Sequence, residues 1–337
     1  MTTMPNRSAM TTMPNRSLHL VARLTMAAAM FVGCGTDNTN PYGGTVDTAR
    51  NDAAPGPGPG PVSPSADAGP RPASDAAPGI DPAPTADAAG SPSMPDPTPP
   101  TPGQAPIPAR FIVLGDSITA CSNVGNENGA NCSAKKLFDY LKATYAPALT
   151  YENGAVGAAV TADVPEEQLG GVTTGPGHAL VLIYVGGNDL ARYLFSSDAA
   201  AERGYNTDLA GIRSNWDAIF AFFQDKTKFP DGTTVLMNNQ YNPFDGCTAP
   251  PYFLSAKKNE LLGQFNQELA AIAAAKGGQL TDQHTPYLGH GHHYAVRNCP
   301  HYQEGMTPWM DDLIHPNAAG HDGLFQQWKA KVDGLYR

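Results

Sequence analysis

Apolar and polar positions alternate with two different periods along residues 109–337. Short apolar runs indicate strands buried in a sheet, and they cover Phe111–Leu114, Leu149–Glu152, Ala179–Val185, Thr233–Met237 and Gln279–Thr281. Elsewhere apolar side chains recur every three or four residues, which predicts helices over Leu137–Tyr145, Leu209–Phe223, Leu261–Ile272 and Leu324–Leu335. Strands that alternate with helices predict an α/β fold, a three-layer α/β/α sandwich with a central parallel sheet of about five strands.

The first third of the chain has a different composition. Of the 32 prolines, 18 lie in residues 51–110, among Ala, Gly, Ser and Asp. A segment of this kind has too little apolar surface to offset the entropy lost on folding. We therefore expect one folded domain over residues 109–337 and a disordered linker over residues 34–108.

The N-terminus has the pattern of an export signal. Basic residues up to Arg23 precede the apolar run Leu24–Val32, and small residues follow it. Residues 1–33 are therefore predicted to be a signal peptide, and the end of this segment resembles a bacterial lipobox. That resemblance implies an acylated Cys34 and an exported protein, anchored by lipid at the bacterial cell surface or outer membrane. The alternative is an ordinary signal peptide that happens to contain a cysteine.

The charge of the chain restricts its partners. The net charge is −10, with 21 Lys and Arg against 31 Asp and Glu, and no basic cluster stands out in residues 109–337. A negative domain of this kind argues against nucleic acid as a partner. No apolar run reaches the roughly 18 residues of a membrane-spanning helix, so we expect membrane contact through Cys34 alone, and a monomer.

Four further cysteines follow the linker, and they are Cys121, Cys132, Cys247 and Cys299. An even number in an exported chain favours disulfides, and three pairings are open. We expect Cys121 to pair with Cys132, because that bond closes a Gly/Asn-rich loop that burial cannot order. Cys247 and Cys299 then tie two later loops together. Metal binding by these cysteines is not expected, because no CxxC pair is present.

Three polar motifs lie next to the predicted elements. Gly115–Thr119 follows the first strand, where a serine in a tight turn exposes its hydroxyl, and Gly186–Asp189 follows the third strand. Asp312 and His315 precede the last helix at a spacing that lets the carboxylate hold one ring nitrogen. Pro316 suits the first turn of that helix. Taken alone, each motif is also typical of a turn or a helix cap.

Taken together and in this order, the motifs resemble those of the GDSL or SGNH hydrolase family. The resemblance covers residues 109–337, and it implies a flavodoxin-like fold and a serine hydrolase that acts on carboxylic esters. It also implies that Ser117 is the nucleophile, that His315 is the general base and that Asp312 orients His315. The first motif reads GDSI rather than GDSL, which is a conservative difference.

The same resemblance implies an oxyanion hole with three donors. Two of them are the backbone amide of Ser117 and the side chain of Asn188. The third is a backbone amide in a block that begins at Asn153. The glycine of that block lies one position early here, so the donor is either Gly157 or Ala158.

The substrate class stays open at this stage. Esterase or lipase action on acyl lipids is favoured by apolar residues in loops after strand ends, namely Tyr193, Leu194, Phe195, Phe244, Tyr252 and Phe253. Deacetylation of a polysaccharide, which would stack on the same aromatic rings, is the first alternative, and an acyltransferase is the second. An alternative of another class is a surface lipoprotein that binds without catalysis.

Five histidines lie between the last predicted strand and Asp312, and they are His284, His290, His292, His293 and His301. No carboxylate or cysteine joins them at the spacing of a zinc site. We interpret them as a loop on the active-site side of the sheet. Substrate contact and metal binding are alternative interpretations, and we expect neither a metal nor a cofactor.

Overall fold

Five parallel strands form the centre of the structure, a computed structural model that describes residues 105–249 and 254–337. The strands are β1 (Arg110–Gly115), β2 (Thr150–Asn153), β3 (Ala179–Tyr184), β4 (Thr233–Asn238) and β5 (Gln279–Thr281). They confirm the five predicted strands, each within one or two residues at its ends. Parallel pairing puts all five carboxyl ends at one edge of the sheet.

The strand order is β2-β1-β3-β4-β5. Going outward from β1, the chain first turns to β2 on one side and then crosses to β3 on the other side. This order is the flavodoxin-like doubly wound arrangement, in which ligands bind where the direction reverses, at the carboxyl ends of β1 and β3. The sequence after β1 and β3 is therefore where a site is expected, and both predicted motifs begin there.

Helices cover the two faces of the sheet. In chain order they are α1 (Ser117–Ala120), α2 (Ser133–Thr144), α3 (Gly187–Ala191), α4 (Asp198–Gln224), α5 (Ala256–Lys276), α6 (His284–Tyr287) and α7 (Ala318–Tyr336). A π-helical turn, Val164–Gln168, and a 3₁₀ turn, Leu169–Gly171, precede β3. In the part of the chain that the structure describes, no helix is long and apolar enough to cross a membrane.

The core has one half on each face of the sheet, because successive side chains of a strand point to opposite faces. Ile112 and Leu114 of β1 pack with Trp216 of α4 and Phe265 of α5. Phe111 and Val113 of β1 face the other way and pack with α2 and α7, where Trp328 is fully buried. These two halves confirm the predicted three layers.

The four predicted helices begin four to eleven residues earlier than their apolar patterns, and two of these starts have a clear physical reason. Helix α4 begins at Asp198, eleven residues before Leu209, because the Ser197 hydroxyl caps it by accepting the Ala200 amide. Helix α7 begins at Ala318 with Asn317 as its cap. Pro316 therefore lies before the helix and not in its first turn, and it forms an isolated antiparallel bridge with Met310.

Both disulfides of the structure have the pairing that the sequence analysis expects, Cys121 with Cys132 and Cys247 with Cys299. The predicted signal peptide, Cys34 and nearly all of the predicted linker lie outside the described residues. At the start of the described part, the amide of Ala105 donates to the carbonyl of Leu335 in α7. The domain boundary after residue 108 stays a prediction.

Candidate active site

Ser117 lies at the carboxyl end of β1, two residues after the last paired residue of the strand. Gly115 forms the turn with φ +130°, and a Cβ there would lie 2.0 Å from the carbonyl oxygen of Tyr184 in β3. Only glycine allows the two strand ends to approach this closely. The carboxylate of Asp116 then accepts the Ile118 amide at 3.0 Å and caps α1. The turn therefore presents the Ser117 hydroxyl above the sheet edge.

Gln168 holds this turn from the side. Its side chain accepts the Gly115 amide at 2.9 Å and donates to the Gly115 carbonyl at 2.8 Å. The amide of Val156 donates to the same carbonyl at 3.0 Å. All of these groups surround a buried backbone, so the turn before Ser117 has its hydrogen bonds satisfied without water.

His315 and Asp312 approach Ser117 from the loop that precedes α7. The Ser117 hydroxyl oxygen lies 2.9 Å from His315 Nε2, and His315 Nδ1 lies 2.8 Å from Asp312 Oδ2. Because a carboxylate only accepts hydrogen bonds, Nδ1 carries the proton and Nε2 is left to accept the serine hydroxyl. Asp312 Oδ1 also accepts the amides of Ile314 and His315, which orients the carboxylate. The three predicted side chains therefore form a Ser-His-Asp relay.

The charges around His315 favour its protonated form. Burial lowers the pKa of His315, but the hydrogen bond and charge of Asp312, with the charges of Asp116 and Asp311, reverse this and leave the pKa above its usual value. Burial likewise works to raise the pKa of Asp312, yet its bonds to His315 and to the Ile314 amide leave that pKa below its usual value. An imidazolium formed during a reaction is thus stabilised by its neighbours.

Asp116 is the charged residue of the motif Gly115–Thr119, and it directly precedes Ser117. Its side chain is 2 % exposed, and burial raises its pKa to about 7, although the Ile118 amide and His315 oppose the shift. The buried surroundings of this carboxyl therefore favour its protonated form. Asp189, in the motif after β3, is also buried, and burial raises its pKa as well.

The predicted oxyanion donors lie in two neighbouring segments. Asn188 is on α3 after β3, and its amide nitrogen donates to the Ala159 carbonyl at 2.9 Å. Gly157 and Ala158 form an exposed turn closed by the bond from the Ala159 amide to the Val156 carbonyl. Ala158 has φ +63°, a left-handed conformation that favours glycine. Ala158 thus has a backbone conformation that a glycine would adopt more easily.

An apolar cleft opens beside the relay and encloses about 840 Å³ of space, part of it open to solvent. Ser117, His315 and Asn188 lie in its wall, whereas Gly157 and Ala158 are outside the lining. The aliphatic, Pro and Phe residues of the lining are Ile118, Leu190, Ala191, Leu194, Pro243, Phe244, Leu254, Leu261, Leu262 and Ile314.

The loop residues that the sequence singled out divide into three groups. Tyr193, Leu194 and Phe244 line the cleft, as expected. Phe195 is not in the lining, and its side chain is 87 % exposed. Tyr252 and Phe253 lie outside the described residues.

The histidine-rich segment packs against the loop that carries Asp312 and His315. His292 Nε2 lies 3.1 Å from the Leu313 carbonyl, and His290 Nδ1 lies 2.7 Å from the Thr307 carbonyl. Among the described residues, one group of potential metal ligands comes together, Cys247, His293 and Cys299. Two of its three ligands are joined to each other in a disulfide, so the oxidised protein does not offer them to a metal.

Sequence reasoning did not find three residues that support this site, and no residue pattern marked them. They are Asn123, Gln168 and Tyr241, and each bonds to a main-chain group next to His315 or in the turn before Ser117. His292, which bonds to the Leu313 carbonyl, belongs to the histidine segment that the sequence placed on the active-site side.

A serine, a histidine and an aspartate in this geometry, at the switch point of a doubly wound sheet, define a serine hydrolase. Comparison with known proteins agrees with this class. Residues 113–322, more than half of the chain, match the model of the GDSL-like lipase/acylhydrolase family. The chain therefore belongs to the GDSL-like lipase/acylhydrolase family, and it is a serine-type hydrolase of carboxylic esters.

Three individual proteins similar to this chain each share less than 30 % sequence identity with it. The chain is 28 % identical to Lipase 1 of Streptomyces coelicolor over 251 residues, which are 65 % of this chain and 86 % of that protein. An extracellular lipase from Streptomyces rimosus is 20 % identical, with a TM-score of 0.49 and coverage of 66 % of this chain and 99 % of the other. An acetylxylan esterase from Geobacillus stearothermophilus is 14 % identical, with a TM-score of 0.45 and coverage of 68 % and 94 %.

Proposed function

We propose that this enzyme hydrolyses its esters through an acyl-enzyme on Ser117, with His315 as the general base. In acylation, Ser117 Oγ forms a bond to the ester carbonyl carbon while His315 Nε2 takes the hydroxyl proton. His315 then returns that proton to the leaving alcohol, and the carbon–oxygen bond to the alcohol breaks. In deacylation, His315 takes a proton from water as the water oxygen bonds to the acyl carbon. The bond between that carbon and Ser117 Oγ then breaks, His315 returns the proton to Ser117 Oγ, and the acid is released.

One observation carries this proposal, the continuous path from Ser117 to Asp312 through His315. The two hydrogen bonds, 2.9 Å and 2.8 Å long, lie within the reach that general-base catalysis requires. The direction of the pKa shifts supports it too, because the surroundings of His315 favour the imidazolium that appears in the transition state.

The developing oxyanion needs hydrogen-bond donors, and we assign them to Ser117, Asn188 and the turn at Gly157 or Ala158. The Asn188 side-chain amide has two hydrogens and donates one of them to the Ala159 carbonyl, so the other remains for the substrate. That same bond ties Asn188 to the turn that carries the backbone donor. Removal of one donor typically lowers kcat about 10²–10³-fold, which is the loss we expect for Asn188→Ala in a folded protein.

The lining of the cleft favours an acyl group of several carbons as the part of the substrate that it holds. Its wall beyond the catalytic residues consists mostly of Leu, Phe, Pro and Ile side chains. Burial of each methylene contributes about 0.8 kcal/mol, so an acyl group that fills the cleft binds more strongly than an acetyl group. This favours an esterase or lipase. Acetylated polysaccharide remains the alternative substrate.

A panel of nitrophenyl esters of increasing chain length, beside acetylated xylan, tests the function. We expect kcat/KM to rise with chain length until the cleft is filled, and acetate release from xylan to be slow. Ser117→Ala should abolish turnover, while Ser214→Ala, an exposed serine on α4, serves as the matched control. Hydrolysis that persists at the wild-type rate in Ser117→Ala would overturn the nucleophile assignment.

A covalent phosphonate probe provides a second readout. It should add its mass to the peptide that contains Ser117 in the wild-type protein and not in Ser117→Ala. With a hydroxyl acceptor present, transfer of the acyl group to that acceptor in preference to water would identify an acyltransferase. A protein that neither turns over esters nor reacts with the probe would support the non-catalytic alternative.

We also propose that the enzyme is exported and held at the bacterial surface by a lipid on Cys34. The support is the order of basic residues, apolar run and small residues before Cys34 in the sequence. Expression of the full chain in a bacterium should place the wild-type protein in the membrane fraction with acylated Cys34. Cys34→Ala should remove the acyl mass, and a membrane-bound, unacylated wild-type protein would refute the anchor.

A further inference from the structure

The catalytic loop, residues 307–317, holds His315 in place without a helix or a strand of its own. One isolated bridge between Met310 and Pro316 closes it. The relay nevertheless requires His315 Nε2 to stay within hydrogen-bond distance of Ser117. Displacement of a catalytic group by about 1 Å can cost roughly a hundredfold in rate, so something must position this loop.

The backbone carbonyls around His315 show what positions it. Each carbonyl from residue 313 to residue 316 accepts a hydrogen bond. The His315 carbonyl accepts the Asp311 amide at 2.8 Å, within the loop itself. The other three accept from side chains of distant segments: Leu313 from His292 at 3.1 Å, Ile314 from the Tyr241 hydroxyl, and Pro316 from the Asn123 amide. We call His292, Tyr241 and Asn123 the carbonyl clamp.

His292 is itself held firmly. Its amide donates to the Pro243 carbonyl at 2.8 Å, and its ring stacks on Phe244 with 5.7 Å between centroids. On either side of it, the amides of Gly291 and His293 donate to the buried carboxylate of Asp245. The segment around His292 is therefore bound to the loop that follows β4, and the Cys247–Cys299 disulfide joins the same two segments.

Asn123 is held from the opposite side. It lies in the loop that the Cys121–Cys132 disulfide closes, two residues after Cys121. Its side-chain oxygen lies 3.4 Å from His321 Nε2, and His321 Nδ1 in turn lies 3.0 Å from the Ser133 hydroxyl. The Asn123 amide group is thus oriented with its nitrogen toward Pro316.

We propose that His292 and Asn123 are positioning residues for the general base, and that the two disulfides act on catalysis by holding these two side chains. His292 grips the loop from the side of β4, and Asn123 grips it from the side of α1. Tyr241 lines the cleft, but His292 and Asn123 do not, so these two residues act on the rate of proton transfer and not on substrate binding. This inference rests on the proposed role of His315 as the base.

Substitutions at His292 separate positioning from packing. Glutamine places an amide nitrogen close to the position of Nε2 and keeps the donor, whereas leucine keeps the bulk and removes it. We expect His292→Leu to lower kcat for a nitrophenyl ester about 10- to 100-fold with KM unchanged. His292→Gln should recover kcat to within about threefold of the wild type. The rate of Ser117 labelling by the phosphonate probe should fall in parallel with kcat.

A second pair of variants uses the other side of the loop and keeps the test decisive if His292→Leu does not fold. Asn123→Ala should lower kcat about tenfold at unchanged KM. Asn128→Ala, with an exposed side chain in the same disulfide-closed loop, should leave kcat unchanged. Replacement of Cys247 and Cys299 by serine should reproduce the kcat defect of His292→Leu at a temperature where the protein stays folded.

Wild-type kcat in both His292→Leu and Asn123→Ala would overturn the clamp, as would equal losses in His292→Leu and His292→Gln. Failure of the proposed function has a different signature. In that case Ser117→Ala itself would retain activity, whereas failure of the clamp alone leaves Ser117→Ala inactive and the clamp variants active.

Discussion

Ser117 and His315 meet in one hydrogen bond, but the two halves of the molecule that bring them there are held in different ways. On the nucleophile side, the residues before Ser117 belong to the sheet, and Gly115 is paired with Tyr184 of the neighbouring strand. On the base side, the chain between β5 and α7 contains one short helix, α6, and His315 lies in an irregular loop. That loop depends on side chains from distant segments.

This difference separates two kinds of failure. A strand of the central sheet cannot shift without disturbing both halves of the core, so damage on the nucleophile side should appear as lost stability. A surface loop bonded through side chains can shift by itself, so damage on the base side should appear as lost rate with the fold retained. Substitutions on each side of the site test that separation.

Gly115→Ala should have the largest effect, and it should be an effect on folding. The added Cβ meets the Tyr184 carbonyl oxygen at 2.0 Å, at a φ that L-residues rarely adopt. The strand ends must then separate, and we expect a loss of roughly 3 kcal/mol or more in the free energy of unfolding. Urea denaturation, or loss of soluble protein on expression, measures it.

The control for this variant is Gly170→Ala, where a Cβ meets nothing within 4 Å. It should fold and turn over like the wild type. If Gly115→Ala kept wild-type stability and lost only rate, the nucleophile turn would not depend on the sheet, and the comparison between the two sides would fail.

Asp312→Asn should produce the opposite result, a large loss of rate in a stable protein. The asparagine no longer selects the ring tautomer of His315, and in a Ser-His-Asp triad this change lowers kcat by about 10⁴-fold. Asp312 is half exposed, so water already screens its interaction with His315. We therefore expect kcat of Asp312→Asn to fall by about 10²–10⁴-fold. Thermal unfolding should change little.

The pH profile of Asp312→Asn gives an independent check. The base works when His315 is neutral, so activity rises as pH passes above the His315 pKa. Asp312 raises that pKa, and its removal should move the acidic limb of kcat/KM to lower pH while the plateau falls. A limb that stays in place would mean that Asp312 does not control the charge of His315.

The two sides also differ in how much the sequence revealed of them. The strands were predictable, because a buried strand has a clear apolar pattern. Ser117 follows the end of such a strand and Asp312 and His315 lie shortly before the last helix, and the resemblance of these motifs to a hydrolase family is what singled out the three side chains. The flavodoxin-like strand order then brings the ends of β1 and β3 together.

The side chains that hold the site in place were not predictable in the same way. Gln168 binds Gly115 from 53 residues away, and Asn123 binds Pro316 from 193 residues away. Their partners are main-chain atoms, which every residue has, so no pairing of residue types marks the contact. The placement of Pro316 in a helix was wrong for a related reason, since Asn317 provides a better cap and starts the helix after itself.

The pH dependence of stability should change least. A buried group on the base side and one on the nucleophile side should change the free energy of unfolding with pH in opposite directions. Burial lowers the pKa of His321, beside Asn123, to about 3, and burial raises the pKa of Asp116, beside Ser117, to about 7. Below pH 6.5 the unfolded chain protonates His321 and the folded protein does not, so this group costs stability as pH falls. Between pH 4 and 7 the folded protein retains a proton on Asp116 that the unfolded chain releases, so that group costs stability as pH rises.

His321→Gln and Asp116→Asn should therefore change the slope of stability against pH in opposite directions. From pH 7 to pH 5, the wild-type protein should lose stability relative to His321→Gln by up to about 1.4 kcal/mol per pH unit, and gain it relative to Asp116→Asn by a similar amount. Urea titrations at pH 5, 6 and 7 measure both differences, and asparagine at 116 keeps the helix cap. Parallel curves for the wild type and both variants would show that neither side of the site carries a buried group with a shifted pKa.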